Sequence, residues 1–286
     1  LKGRVFQGVL TPAIRSGMGQ YFTPNVVINF MVAIANPTSS DLVLDPFCGS
    51  GHFLTHCLNH VRRLNPELNQ NQINKYSLGK LHGIEKSDRM VRIAMTSMRL
   101  NEDGHCNIRN VDALLNFDNY NDLQPGTFDV VLTNPPFGSI LRADAIAELG
   151  EFELSKNRKS VPIEVLGLER AIQFLRPGGR MGIVLPESIL ATQKFQYVRK
   201  WLARVVSVRG IVSLPVEAFS PFGANIRTSI LFCRKLKSGE VLPNDYLVFM
   251  GSVDNVGYDA TGRNKDGLDI WELASEFHAF IREEGW

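Results

Sequence analysis

Cysteine is scarce: the 286 residues hold four, Cys48, Cys57, Cys106 and Cys233, with no CxxC pair and no histidine at ligand spacing. A disulfide framework and a zinc site are excluded as organising elements, and reduced thiols in a cytoplasmic compartment are expected. Long apolar runs are missing as well. Stretches such as residues 181–185 are strand-sized, far short of the ~20 residues that cross a bilayer, so no membrane partner is expected. No charged-then-apolar leader is read in residues 1–20. Charge of one sign is lacking too, since 31 basic and 29 acidic side chains leave a formal net charge of +2. That balance excludes a protein held on nucleic acid by bulk charge alone, but leaves room for a local basic cleft. The first residue is Leu1 and not Met, as expected of a piece of a longer chain.

What is present is an ordinary globular composition, 44% hydrophobic and 21% charged. There is no internal repeat, and short β-rich runs alternate with helical ones, which points to an α/β fold with a largely parallel sheet. Thr23 is placed to N-cap a helix whose first residue is Pro24 and which ends near residue 36. Residues 41–45, 81–85, 107–111, 128–133 and 180–186 read as strands. Helices are expected after Gly51, around Met90, over 162–175, around Trp201 and over 270–281. Residues 208–214 and 228–233 suit an antiparallel final pair. Residues 65–80 are Asn/Gln-rich and read as a solvated loop or short excursion, and the charged residues 139–160 as a mobile loop.

The glycine turn after the first strand, Gly49-Ser50-Gly51-His52-Phe53-Leu54, brings backbone N–H groups close to a ligand. Its third glycine position in the dinucleotide pattern holds Leu54, and Asp45 just before it would repel a diphosphate. An acid there suits a ligand with an ammonium group, such as the methionine end of S-adenosyl-L-methionine (AdoMet). Glu85, ending the second strand, is placed for two ribose hydroxyls, and Asp112, after the third, for an adenine amine. Taken singly, each could be only a turn carboxylate. Three acids at the carboxyl ends of consecutive strands match the crevice where open α/β sheets bind ligands.

The strand over 128–133 delivers Asn134-Pro135-Pro136-Phe137 to the same edge. The two prolines restrict the backbone, which sets the direction of the Pro135 carbonyl beside the Asn134 side-chain oxygen. Two acceptors held close together can grip both protons of an NH2 group, and Phe137 can stack on the attached ring. Such a grip favours a nitrogen lone pair aimed at a sulfonium methyl. The plain alternative is a rigid loop with a core phenylalanine.

Asp45-Pro46-Phe47-Cys48-Gly49-Ser50-Gly51, Glu85, Asp112 and Asn134-Pro135-Pro136-Phe137, in that order, resemble the motifs of AdoMet-dependent N6-adenine DNA methyltransferases. Gly19-Gln20-Tyr21-Phe22-Thr23-Pro24 is similar to the motif that precedes the glycine loop in one subgroup. Together they resemble the modification (M, HsdM-type) subunits of type I restriction-modification systems and the methylase regions of fused type II enzymes. The likeness covers residues 16–235, including Gly178-Gly179-Arg180-Met181 and Arg227-Thr228-Ser229, and reaches Gly257-Tyr258-Asp259 beyond.

The resemblance implies a Rossmann-like AdoMet-dependent methyltransferase fold of seven strands with an antiparallel final hairpin. It implies methyl transfer to a flipped adenine in double-stranded DNA, with Phe137 stacking on the base. Cofactor contacts are implied at Tyr21, Phe22, Thr23, Asp45, Phe47, Gly49, Ser50, Gly51, Glu85, Lys86, Asp112, Ala113 and Asn134. It further implies an N-terminal helical domain, a specificity subunit or fused recognition domain, and a restriction subunit as partners, in the cytoplasm of a prokaryotic cell. The expected organisation is an N-terminal segment over 1–22, the methyltransferase domain over 23–237 and a C-terminal extension over 238–286.

Cytosine-C5 methylation needs a nucleophilic cysteine after a proline, and no Pro-Cys occurs. Two alternatives stay open: an AdoMet-binding core inactive without its specificity subunit, and transfer to an exocyclic amine of RNA or to a protein glutamine. Among the basic clusters, Lys156, Arg158 and Lys159 are the candidate DNA contacts, because their loop follows the catalytic turn. His52, His56 and His60 share a helix face that is read as exposed, and no metal site is expected. With a net charge of only +2, much of the phosphate contact is expected to come from the specificity partner.

Overall fold

The computed structural model describes residues 22–101 and 107–286. The order begins α1 (Asn25–Ala35), β1 (Val43–Asp45), α2 (His52–Leu64), α3 (Gln70–Lys80), β2 (Leu81–Glu85), α4 (Asp88–Leu100), β3 (Asn107–Asn110) and β4 (Phe128–Thr133). A small excursion follows, with β5 (Ile140–Arg142), α5 (Ala143–Ala147) and β6 (Ser160–Pro162). The chain then returns through α6 (Ile163–Phe174), β7 (Leu175–Pro186), α7 (Glu187–Ala191), α8 (Gln196–Val205), β8 (Val206–Leu214) and β9 (Thr228–Lys235). It closes with β10 (Phe249–Ser252) and α9 (Ile270–Glu284). No helix among the described residues is long and apolar enough to cross a membrane.

Eight of the strands form one sheet in the order β10-β8-β9-β7-β4-β1-β2-β3, and β5 and β6 form a separate pair. Pairs β1/β2, β1/β4, β2/β3, β4/β7 and β8/β10 are parallel, and β9 alone runs against its neighbours β7 and β8. This is the α/β fold with an antiparallel final hairpin that the sequence indicates, carrying an eighth strand, β10, on the outer side of β8. Side chains alternate along each strand, so Val130 and Leu132 enter one core while Val131 enters the other. Helices α1, α2, α4 and α9 cover the first face, and α6 and α8 the second. Both faces are therefore covered, which explains the nearly unbroken apolar strands.

Several local expectations are corrected. Residues 70–80 are helical and not a loop, because Asn69 and Gln72 form a reciprocal cap. The Asn69 side chain accepts from the Gln72 N–H at 3.0 Å, and the Gln72 side chain from the Asn69 N–H at 2.9 Å. The excursion over 139–160 is ordered by the antiparallel β5/β6 pair. Thr23 does not cap α1, which starts after Pro24 without a side-chain cap.

The three histidines of α2 are not an exposed face either. His56 Nδ1 lies 2.7 Å from Asn29 Oδ1 and His60 Nε2 lies 2.9 Å from Asn36 Oδ1, so they join α2 to α1. Burial holds the imidazoles of His52, His56 and His60 down at about 4, hence neutral at pH 7.

The C-terminal helix is built into the first core. Phe277 is fully buried, stacks on Phe249 at 4.4 Å and meets Phe232 edge-on at 5.2 Å. Gly210 of β8 makes room for it, since a Cβ there would lie 2.2 Å from the Phe277 ring. Phe277→Ala is expected to lower the unfolding free energy by about 3–5 kcal/mol, from lost burial plus the cavity left behind. Urea unfolding measures it, and a loss below about 1 kcal/mol would show that α9 is not part of the core.

Candidate active site

The sheet changes direction of winding between β1 and β4, which lie side by side while their connections run to opposite flanks. Ligands bind open α/β sheets at that point, beyond the carboxyl ends of the strands. A cleft of about 270 Å³ lies there, lined from four strand ends and from the segment before α1.

The first wall is the turn after β1. Asp45 is buried and lines the cleft. Its Oδ1 accepts from the Thr133 hydroxyl at 2.7 Å and from the Phe47 N–H at 3.1 Å. Burial pushes its carboxyl up to about 7, and the nearby Glu85 charge adds to the rise. Phe47, Gly49 and Ser50 also line the cleft. Gly49 and Gly51 sit at φ +50° and +77°, left-handed values that glycine adopts without strain. Gly51 is not among the lining residues: it starts α2 and packs on α4, where a Cβ would lie 3.2 Å from that of Ala94.

Glu85 forms the second wall. Its two oxygens accept from the Gly49 N–H at 3.1 Å and the Ser87 N–H at 2.7 Å, which fixes the carboxylate plane and leaves further lone pairs for a ligand. Burial raises its pKa. The third wall carries Asp112 and Ala113. Asp112 Oδ1 accepts from the Leu114 N–H at 2.9 Å, and Lys86 Nζ stands 3.8 Å from Oδ2.

Opposite them stands the turn after β4. Asn134, Pro135, Pro136 and Phe137 all line the cleft. The Asn134 amide donates from Nδ2 to Thr23 Oγ1 at 2.9 Å, which orients the side chain. Its Oδ1 is buried and has no hydrogen-bond partner among the described residues. A buried acceptor without a donor is costly and marks a place where a ligand N–H belongs. Phe22 and Thr23 join this wall, while Tyr21 lies outside the described residues.

Helix α6 braces the wall from behind, by contacts that the motifs do not reveal. Glu164 accepts from the Gly138 N–H at 3.3 Å, just after the turn. A Cβ on Gly167 would lie 2.9 Å from Pro135 Cβ and 3.4 Å from the Phe47 ring, so only glycine lets the helix approach both. Arg170, fully buried, donates from Nη2 to the carbonyls of Leu114 and Leu115 at 3.1 and 2.9 Å, and its guanidinium lies 4.3 Å from the centre of the Phe117 ring. The Asp112 loop, the glycine turn and the Asn-Pro-Pro-Phe turn are thus held by three residues spaced three apart. A signal did exist: a glycine inside an apolar helix costs about 1 kcal/mol against alanine and suggests close packing.

Lys156, Arg158 and Lys159 are exposed and lie outside this cleft. Arg158 is stacked over Tyr197, its guanidinium carbon 3.2 Å from the ring centre. Among the described residues, no group of three His, Cys, Asp or Glu side chains is placed to hold a metal ion.

Residues 5–285 match the family described as N-6 DNA Methylase. The chain is 29% identical over 238 residues to the type I restriction enzyme EcoEI methylase subunit of Escherichia coli, covering 82% of this chain and 46% of that one. It is 26% identical over 210 residues to the type II restriction enzyme and methyltransferase RM.BcgI of Heyndrickxia coagulans, covering 73% of this chain and 30% of that one. The crystal structure of the type I restriction enzyme EcoKI M protein superposes with a TM-score of 0.63 at 25% identity, over 77% of this chain and 45% of the other. The chain therefore spans about half or less of the length of these relatives. With a family match over nearly all of its length and the Asn-Pro-Pro-Phe turn at the sheet's binding edge, the chain belongs to the N-6 DNA methylase family.

Proposed function

We propose that this chain is the methyltransferase region of a restriction-modification methylase, transferring the methyl group of AdoMet to the N6 amine of an adenine flipped out of double-stranded DNA. It acts in the cytoplasm with a specificity subunit or fused recognition domain, and a restriction subunit belongs to the same system. The observation that carries this reading is the buried Asn134 Oδ1, without a hydrogen-bond partner among the described residues, in a cleft also lined by Asp45, Glu85 and Asp112. The family match and the restriction-enzyme relatives support the DNA substrate.

The residues present fit the cofactor. Asp45 faces the cleft with a carboxyl suited to an ammonium group, Glu85 keeps acceptors for a ribose diol, and Asp112 stands where an adenine amine can donate. Lys86, beside Asp112, and Ala113 border the same end. Bound there, AdoMet supplies an electrophilic methyl group. Asn134 Oδ1 and the Pro135 carbonyl then accept from the two N–H bonds of the target amine. That grip draws the nitrogen out of conjugation with its ring, so its lone pair points toward the methyl group. Phe137 offers a ring face for the extruded base. The new N–C bond would take the nitrogen lone pair as the carbon–sulfur bond breaks onto sulfur, and the proton the amine then sheds would pass to solvent water. Most of the acceleration on this reading comes from positioning and from acceptors fixed in advance.

Asn134→Ala is expected to lower kcat at least about 100-fold while AdoMet affinity changes less than about threefold. Isotope transfer to DNA and calorimetry measure the two, and methylome sequencing of cells carrying either form maps the site as N6-methyladenine. Undiminished turnover would remove the amine-gripping role.

A pH test follows from Asp45. Its carboxyl, raised to about 7 in the free protein, is mostly protonated at pH 6, and an arriving ammonium group favours the carboxylate. Binding then releases a proton, so AdoMet affinity is expected to rise between about pH 6 and 7.5 and to level off before the ligand's own α-amino group, near 8, loses its charge. Calorimetry in two buffers of different ionisation enthalpy should detect that proton at pH 6.5. Asp45→Asn is expected to abolish the release, and an unchanged proton count would sink the assignment.

A further inference from the structure

The β5/β6 hairpin stands directly at the mouth of the cleft. Ser139, which precedes β5, and Ile163, which follows β6, both line the cleft, and the Ile163 N–H donates to the Ser139 carbonyl at 2.9 Å. The pairing is fixed by register, with Ile140 opposite Pro162, Leu141 opposite Val161 and Arg142 opposite Ser160. Alternation along β5 turns Leu141 inward onto the second core and leaves Ile140 and Arg142 on the outer face. Ile140 is 62% exposed. A single exposed apolar side chain means little by itself, but this one follows directly on a residue that lines the cleft. The exposed Leu64 and Leu78 sit near the ends of α2 and α3, toward the opposite edge of the sheet. Ile140 instead stands beside the cleft on a braced hairpin, one residue beyond a lining serine. Arg142 lies two residues further on the same face, and the Lys159 carbonyl accepts from the Ala143 N–H at 3.0 Å, which continues the ladder. The rim thus presents an apolar point with cations behind it. It suits a nucleic-acid duplex, where apolar side chains enter base steps and cations meet phosphates.

We propose that Ile140 is the apolar wedge that enters the duplex beside the target adenine and holds open the step from which that base leaves, while Arg142 neutralises a flanking phosphate. The inference rests on the adenine-methylating reading above and names how that site obtains its base. Extruding a base from a paired duplex costs unstacking and unpairing energy, and a wedge offsets part of it by filling the vacated space. Ile140 touches neither cofactor nor reacting atoms, so its effect falls on duplex opening alone.

The test uses the intact methylase with its recognition partner and a duplex containing the site mapped by methylome sequencing. The target adenine is placed opposite thymine in one duplex and opposite an abasic position in the other, where extrusion costs less. Ile140→Ala is expected to slow methylation of the paired duplex about tenfold and that of the abasic duplex by less than about twofold. Ile140→Leu should retain most of the rate on both. A 2-aminopurine at the target position should lose its extrusion signal in the paired duplex with Ile140→Ala only. AdoMet affinity and Tm should stay unchanged, as expected for an exposed side chain. Arg142→Gln should weaken binding of both duplexes alike and flatten the salt dependence by about one ion; unaltered salt dependence would remove the phosphate contact. Equal losses on the two duplexes, or none on either, would overturn the wedge while leaving adenine methylation in place. Wild-type enzyme inactive on both would remove the methylation reading, and the wedge with it.

Discussion

A single buried hydrogen bond, from the Thr133 hydroxyl to the Asp45 carboxylate at 2.7 Å, crosses the point where the sheet reverses its winding. On one side of it lies the turn with the glycine loop; on the other, the turn with Asn134. The two turns belong to strands paired only through Val43/Val130 and Leu44/Val131, so the backbone ladder stops short of the site. The Thr133–Asp45 contact takes over where the ladder ends and sets how far apart the two walls stand. It also explains how Asp45 is held without a cationic partner among the described residues: two donors hold one of its oxygens while burial keeps its proton affinity high. The pocket is thus built around a carboxyl that favours the arrival of positive charge.

Helix α6 supplies the second level of order. Glu164, Gly167 and Arg170 recur every three residues and reach, in turn, the end of the catalytic turn, its first proline, and the carbonyls of the loop behind Asp112. Burial lowers the Arg170 guanidinium only to about 10, so it keeps its charge at pH 7 and its aromatic surroundings compensate part of the lost hydration. One rigid rod therefore indexes three loops that come from distant parts of the chain.

The sheet and the site differ in how readily they are read from the sequence. Apolar runs bounded by Gly, Pro and Asn mark the strands, and the Asn-Pro-Pro-Phe tetrapeptide is legible as a candidate because few chemistries need it at a strand end. Thr23 shows the limit of local rules. Its position before Pro24 satisfies the rule for a helix cap, yet its hydroxyl serves Asn134, 111 residues away. Long-range partners leave no trace in local spacing. The α2 histidines fail for the same reason, since His56 and His60 find their partners in Asn29 of α1 and Asn36, which caps it. Residues 70–80 mislead differently: a polar composition hides a helix whose cap is written in Asn69 and Gln72. Thr133 is concealed by its own propensity, because a β-branched residue ending a strand attracts no notice.

Strand β9 lies between β7 and β8 although it follows both along the chain. The sheet must therefore keep a slot open until residues 228–235 arrive, and α9, which packs on α1, can be seated only after that. Helix α1 in turn extends directly from the segment carrying Thr23, the group that orients Asn134. During synthesis on the ribosome, a nascent chain already contains the whole Asn-Pro-Pro-Phe motif by residue 137, but the sheet closes only after roughly a hundred more residues have emerged. The order of strands thus separates in time the appearance of the candidate residues from the formation of the cleft they line, and an incomplete chain has the former without the latter.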